Sequence, residues 1–300
     1  MRIITRGDFD GLCSSVLLTE VHAIEDVKFA HPKDVQDGLI VADENDIVVN
    51  VPYIPGCGLW FDHHVSEEKK IPKMGSFEGR FEIAPSCARV IHNYYKDQVQ
   101  GGFADLEEMM IAVDKLDSAN LTEDEVKRPS GWILLGLTID PRSGLGPEFQ
   151  KYFRWLVEFT REVPIKIVLS NFEVKKRTDS IKKDQEEYKK ILAENACVDG
   201  AVIITDFRET RIPPVGNRFI VFTMFPEANV EVRLLRGKAG NSVVAVGHSI
   251  FNRTCDVNVG EMLSEYGGGG HRGAGTAQLP LEIADVSIKA IVDRLKKNEG

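Results

Sequence analysis

The first twenty-one residues set the terms for the fold. "RIIT" (2–5) is a short β-favouring run, "RGDFDG" (6–11) is a polar loop, and "LCSSVLLTEV" (12–21) is apolar enough for a buried helix. Three further apolar runs follow: "VKFA" (27–30), "DIVVNVPY" (46–53) and "GLWFDHH" (58–64). Each ends in polar or turn residues. Buried strands alternating with helical or loop segments point to a mostly parallel sheet with crossover connections. In such sheets ligands collect outside the carboxyl ends of the strands. Asp8, Asp10 and the triplet Asp62-His63-His64 stand at such ends.

Beyond residue 84 the pattern turns helical. "PSCARVIHNYYKD" (85–97) and "GGFADLEEMMIAVDKLDSANLT" (101–122) read as capped helices. "PEFQKYFRWLVEFTRE" (147–162) places Phe149, Tyr152, Phe153, Leu156 and Phe159 on one helical face, a core stripe. "TDSIKKDQEEYKKILAENA" (178–196) is dense in charge and reads as an exposed connecting helix. After it come β-rich runs, "GAVIITDF", "RFIVFTMF", "NVEVRLLRG" and "NSVVAVGHSIF", then a glycine cluster and a final amphipathic helix. The expected organisation is an α/β domain over 1–177, a linker helix over 178–196 and a smaller α+β domain over 197–300.

Composition narrows the function. The formal charge is -9, which argues against a long nucleic acid bound by net charge. No stretch approaches the roughly 18 apolar residues of a membrane span. "MRIITRGDFDG" has neither the apolar core nor the cleavage site of a signal peptide, so a cytoplasmic location is expected. The five cysteines form no C-x-x-C pair and are expected to be reduced thiols.

Three clusters carry chemistry. In an extended loop Asp8 and Asp10 point the same way and face one cation. The alternative is that Asp10 caps the following helix. Asp62, His63 and His64 offer carboxylate and imidazole to manganese, iron or zinc. Neighbouring residues diverge on a strand, so one histidine ligates and the other orients a ligand or contacts substrate. In "YGGGGHRGAGT" (266–276), the amides of Gly268, Gly269 and Gly270 can curl into a nest for phosphate oxygens, with His271 and Arg272 as added donors. A flexible loop is the plainer reading of that run. His22, His31, His92 and His248 have no partners at ligand spacing and read as structural.

D-x-D-G opening the first helix, D-H-H about fifty residues later, "DSANLT" from Asp117 and the G-G-G-H-type run together resemble the DHH phosphoesterase superfamily with its C-terminal DHHA1 domain. The resemblance spans both ends of the chain and misses mainly 125–195. It implies a Rossmann-like N-terminal sheet and a metal set of Asp8, Asp10, Asn50, Asp62, His63 and Asp117, with Asp114 competing for the last place. It implies one or two manganese ions, magnesium being the alternative. Catalysis would fall to Asp10, Asp62, His63 and His64, acting through a metal-activated water. Substrate would be bound by Gly268, Gly269, Gly270, His271 and Arg272, with Arg233, Arg253, Arg236 and Asn252 as weaker candidates. The expected substrate is a short oligonucleotide or small nucleotide phosphodiester, not long duplex DNA. An exopolyphosphatase, or a decayed nucleotide-binding protein without turnover, is the alternative. A homodimer is left open. Two positions depart from the family pattern. Asn50 stands where an aspartate is usual, with Asp43 and Asp46 poorly placed to replace it. Thr5 or Arg6 stands where a histidine is often found.

Overall fold

Ile3, Ile4, Ile47, Val48, Val49, Trp60 and Phe61 are all fully buried, so the strands that carry them are covered on both faces. They belong to a five-stranded, all-parallel sheet of β1 (Arg2–Thr5), β2 (Asp26–Phe29), β3 (Asp46–Val49), β4 (Leu59–Asp62) and β5 (Gly79–Phe81). Its order is β2-β1-β3-β4-β5. The computed structural model describes residues 1–73, 75–140, 144–210, 214, 216–237 and 240–299. Within it the chain divides into two compact units, Met1–Asn120 with Pro129–Asp179, and Leu121–Arg128 with Ser180–Gly300.

In the first unit, register aligns Ile4 with Val48 and Val48 with Trp60. This row packs with Val35, Val51 and Ile54 on one face of the sheet. Burying each such side chain contributes about 1.5–3 kcal/mol. The Trp60 indole N–H donates to the Val51 carbonyl at 3.0 Å, so the ring is buried without an orphaned donor. Phe61, one residue on, faces the other side. It meets Tyr94 and Tyr95 of the helix Cys87–Tyr95, with ring centroids 5.2 and 5.9 Å apart. β5 has no apolar run to announce it. Gly79 allows it to close on β4, since a Cβ there would lie 2.1 Å from the Trp60 carbonyl oxygen. The helix Pro147–Glu162 buries Tyr152, Phe153 and Leu156 of its stripe, while Phe149 and Phe159 are half-buried.

The charged helix begins earlier than its charge pattern suggests and runs Phe172–Asn195, with Val174, Tyr188 and Leu192 buried. The second unit holds a six-stranded mixed sheet of β6 (Ala196–Asp199), β7 (Val202–Asp206), β8 (Val230–Arg236), β9 (Ser242–His248), β10 (Gly269–His271) and β11 (Ala274–Leu279). Its order is β10-β11-β9-β8-β7-β6, and only β7 and β8 run parallel. Val202, Val232, Val244, Ile291 and Leu295 lie in its core. A parallel α/β sheet followed by a second, mixed sheet is the architecture expected from the sequence.

Two local expectations are corrected. "RFIVFTMF" is not a strand: Ile220–Met224 is a short helix with Ile220, Val221 and Phe222 buried in succession. A short apolar run buried all round carries no period that separates helix from strand. The glycine cluster is not a nest. Gly269–His271 is an edge strand paired antiparallel to β11, with Gly270 opposite Gly275. A Cβ on Gly270 would lie 2.3 Å from the Ala274 carbonyl oxygen. These glycines serve close strand contact.

Candidate metal centre

In the order β2-β1-β3-β4-β5, the chain leaves β1 toward β2 and then returns to β3 on β1's other side. The switch point therefore lies at the carboxyl ends of β1 and β3, where a ligand crevice is expected. The loop after β1 carries Asp8, Asn50 directly follows β3, and β4 ends in Asp62 with His63 and His64 next. Local structure then aims each side chain. Asp8 is the N-cap of the helix Phe9–Thr19: its Oδ1 accepts the Gly11 N–H at 2.9 Å. The capping role weighed for Asp10 belongs to Asp8. Asp10 lies in the first helical turn, 2% exposed, and its two oxygens accept the N–H groups of Cys87 and Ala88 at 2.8 Å each. Those donors begin the helix Cys87–Tyr95, so a helix N-terminus holds the carboxylate in place.

His63 is the hinge of the cluster. Its Nδ1 lies 3.0 Å from the Ala84 carbonyl oxygen and must donate to it. The proton is thereby fixed on Nδ1, and Nε2 presents a lone pair. Nε2 stands 3.3 Å from Asp117 Oδ2 and 3.7 Å from Asp10 Oδ2. Asp10, His63 and Asp117 each offer a ligand atom within 4.8 Å of the others. Asp62, His63 and His64 form a second group at the same spacing. There, however, His64 Nδ1 donates to Asp62 Oδ1 at 2.7 Å, so these two atoms are spent on each other. The His63 and His64 rings lie 4.4 Å apart, tilted by 59°. Asp114 is taken up elsewhere: Arg89 donates to it at 2.6 and 2.8 Å, and Ser86 at 2.7 Å.

The electrostatics call for a cation. Burial pushes the Asp10 carboxyl up to about 6; His63 opposes the shift, Asp8 adds to it, and the Ala88 and Cys87 N–H groups pull back. Asp117 is raised well above the carboxylate range by desolvation and then by Asp10 and Asp8. Desolvation lowers the His64 pKa, but the hydrogen bond and charge of Asp62, with Asp117 and Asp10, outweigh it and leave the ring above its usual value. His63 Nε2, Asp62 Oδ2 and Asn50 Oδ1 are buried with no hydrogen-bond partner. An unsatisfied buried acceptor costs about 1–3 kcal/mol. Carboxylate and imidazole groups converging at this spacing fit a divalent ion.

The remaining predicted residues are less gathered. Asp8 accepts the Asn50 Nδ2–H at 2.9 Å and pairs with the Arg6 guanidinium at 3.0 Å. Asn50 holds a left-handed φ of 57°. In the second unit Arg233 is tied to Glu231 by two 3.0 Å bonds, and Arg253 Nε donates to the Ile250 carbonyl. His271 and Arg272 are exposed, and Arg272 donates to the Asp256 carbonyl at 3.1 Å. Sequence reasoning missed the Ala84 carbonyl and the Cys87 and Ala88 amides. Backbone groups leave no residue-type signal, and only Ser86, the N-cap of that helix, hinted at them.

No protein-family model matches the chain, and no curated protein does. Among solved structures it is similar to the pGpG-specific phosphodiesterase PggH from Vibrio cholerae, with 35% identity over 99% of each chain and a TM-score of 0.87. The chain belongs to the DHH phosphoesterase superfamily. As a DHH protein it is a metal-dependent phosphoesterase. An exopolyphosphatase-related protein from Bacteroides fragilis shares the fold at 11% identity and TM-score 0.56, over 99% of this chain and 92% of that one. Manganese-bound exonuclease RecJ does so at 14% identity and TM-score 0.53, over 100% of this chain and 91% of its own. The candidate centre thus draws on this DHH chain's D-x-D-G and D-H-H positions beyond β1 and β4, and on Asp117 at the end of the helix Glu107–Asp117.

Proposed function

We propose that this chain hydrolyses pGpG or a closely related short dinucleotide, using manganese, with magnesium as the alternative ion. The observation that carries the reading is the full-length likeness to a pGpG-specific phosphodiesterase. Asp10, His63 and Asp117 would hold the cation, with Asp62 and Asn50 supporting them. When bound, a divalent ion acidifies a water and neutralises phosphate charge. The remaining work falls to the chain. Ala84 fixes the His63 tautomer, and the Cys87 and Ala88 amides fix Asp10. Asp62 holds the His64 Nδ1 proton, leaving Nε2 of a half-exposed ring to face the phosphate. In the overall reaction one water adds to phosphorus, the P–O3′ bond breaks, and pGpG yields two molecules of GMP.

In the same reading residues 1–177 carry the metal chemistry, 178–196 link, and 197–300 bind substrate. His271 and Arg272 take an anionic group there, set at the turn between two strands with Gly268, Gly269 and Gly270 giving close backbone approach. Arg233 serves less directly, through its pair with Glu231. We also place the enzyme in the cytoplasm. The five free thiols support a reducing compartment. Among the described residues no helix is long and apolar enough to cross a membrane. The test is product analysis on pGpG, a cyclic dinucleotide, phosphoadenosine phosphate and polyphosphate with manganese or magnesium. GMP from pGpG is expected, falling about 1,000-fold or more in Asp10→Asn. Release of orthophosphate from polyphosphate as the faster reaction would contradict the assignment.

A further inference from the structure

We infer that this chain works with a single divalent cation per site, and that the Arg6 guanidinium supplies the second positive charge. The inference rests on the phosphodiesterase reading and specifies how its site is built. Asp8 lies beside the Asp10–His63–Asp117 group yet belongs to no three-residue ligand group among the described residues. Both of its oxygens are engaged. Oδ1 accepts the Gly11 N–H and the Asn50 Nδ2–H, each at 2.9 Å. Oδ2 lies 3.0 Å from Arg6 Nε. An aspartate at position 50 would set a second carboxylate against Asp8 and call for a metal between them. Asn50 instead donates a hydrogen bond there and brings no charge.

Asn50 is also held in place. It is 1% exposed, and its N–H donates to the Phe61 carbonyl at 3.1 Å, tying the position after β3 to β4. The left-handed backbone at this residue is one that asparagine tolerates better than most side chains. The unpartnered Oδ1 therefore offers a neutral oxygen from a rigid position. The independent pointer to a cation is the orphaned Nε2 of His63, a side chain 9% exposed and aimed at Asp10 and Asp117. His63 is shared by both ligand groups, but in the other one His64 Nδ1 is already spent on Asp62 Oδ1 at 2.7 Å, whereas Nε2 is aimed at Asp10 and Asp117. Arg6 remains 41% exposed while paired to Asp8, so its outer N–H groups are open to an incoming anion. A planar guanidinium fits phosphate oxygens bidentately and keeps its charge at any working pH.

The deciding experiment is manganese stoichiometry of the purified full chain, by equilibrium dialysis with elemental analysis and by electron paramagnetic resonance. One ion per chain with an uncoupled six-line spectrum is expected. Two ions per chain, or an exchange-coupled spectrum, overturns the inference while leaving pGpG hydrolysis intact. Arg6→Ala and Arg6→Lys test the other half. With the melting temperature and manganese affinity held, Arg6→Ala should lose about 100-fold in kcat/KM on pGpG, and Arg6→Lys should recover part of it. An Arg6→Ala enzyme with wild-type kcat/KM sinks the role of the guanidinium. If the wild-type chain releases no GMP at all, the phosphodiesterase reading fails, whatever the ion count.

Discussion

His63 gives its two ring nitrogens separate tasks: Nδ1 is spent on Ala84, and Nε2 is kept for the carboxylates. The consequence is a metal-free site at odds with itself at neutral pH. The folded Asp10 carboxyl, pushed up to about 6, stands above its ordinary 3.8. Its contribution to stability is present at low pH and lost as pH rises through about 6. Burial lowers His22, His92 and His248, which act with the opposite sign and destabilise as pH falls below their usual value. The difference between manganese-loaded and metal-free protein isolates the first effect. Manganese at about 100 times its Kd adds roughly 2.7 kcal/mol. By thermal melting, its stabilisation should be several degrees at pH 7.5 and much smaller at pH 5.0. Equal shifts at both pH values contradict the ligand set. Asp117→Asn should abolish the shift. Asp114→Asn should keep it while costing about 1–3 kcal/mol from the stranded Arg89 and Ser86. The sequence held both aspartates open, because residues three apart share a helix face. The Arg89 partner that separates them is distant in the chain.

At the scale of elements, the centre depends on how the first helix begins. Gly11 follows Asp10 with no room for a side chain: a Cβ would lie 2.1 Å from the Arg6 carbonyl oxygen and 2.7 Å from Thr5 Oγ1. Gly11→Ala should therefore destabilise by about 3 kcal/mol through overpacking and move Asp8 and Asp10 together. Calorimetry and manganese affinity should fall jointly; an unchanged melting temperature would show that the loop relaxes freely. The first four strands were legible as short apolar runs, and those of β1, β3 and β4 ended in the residues of the site. β5 was not, since "GRF" has no apolar run and pairs through close backbone approach. The glycine run misled for a related reason. Glycine permits a nest and equally permits tight strand pairing, and only the register of β10 on β11 separates the two.

For the whole molecule, net charge and fold pull in one direction. The -9 charge repels a long polyanion, while a compact dinucleotide meets only the local field of its binding groups. Turnover on pGpG should exceed that on a long single strand, and raising salt should narrow the gap as screening removes the repulsion. A rate that rises with polymer length would contradict this. Family and fold were readable from motifs at both ends of the chain. Which atoms carry the proton, and which carboxylates are already spent, became visible only once distant segments were brought together. This DHH chain is a metal-dependent phosphoesterase. The most direct test of its proposed phosphodiesterase action is GMP release from pGpG by the purified chain, with manganese and again after chelation. GMP is expected with manganese and none after chelation. No GMP with any divalent ion, or undiminished release in chelator, would contradict that action.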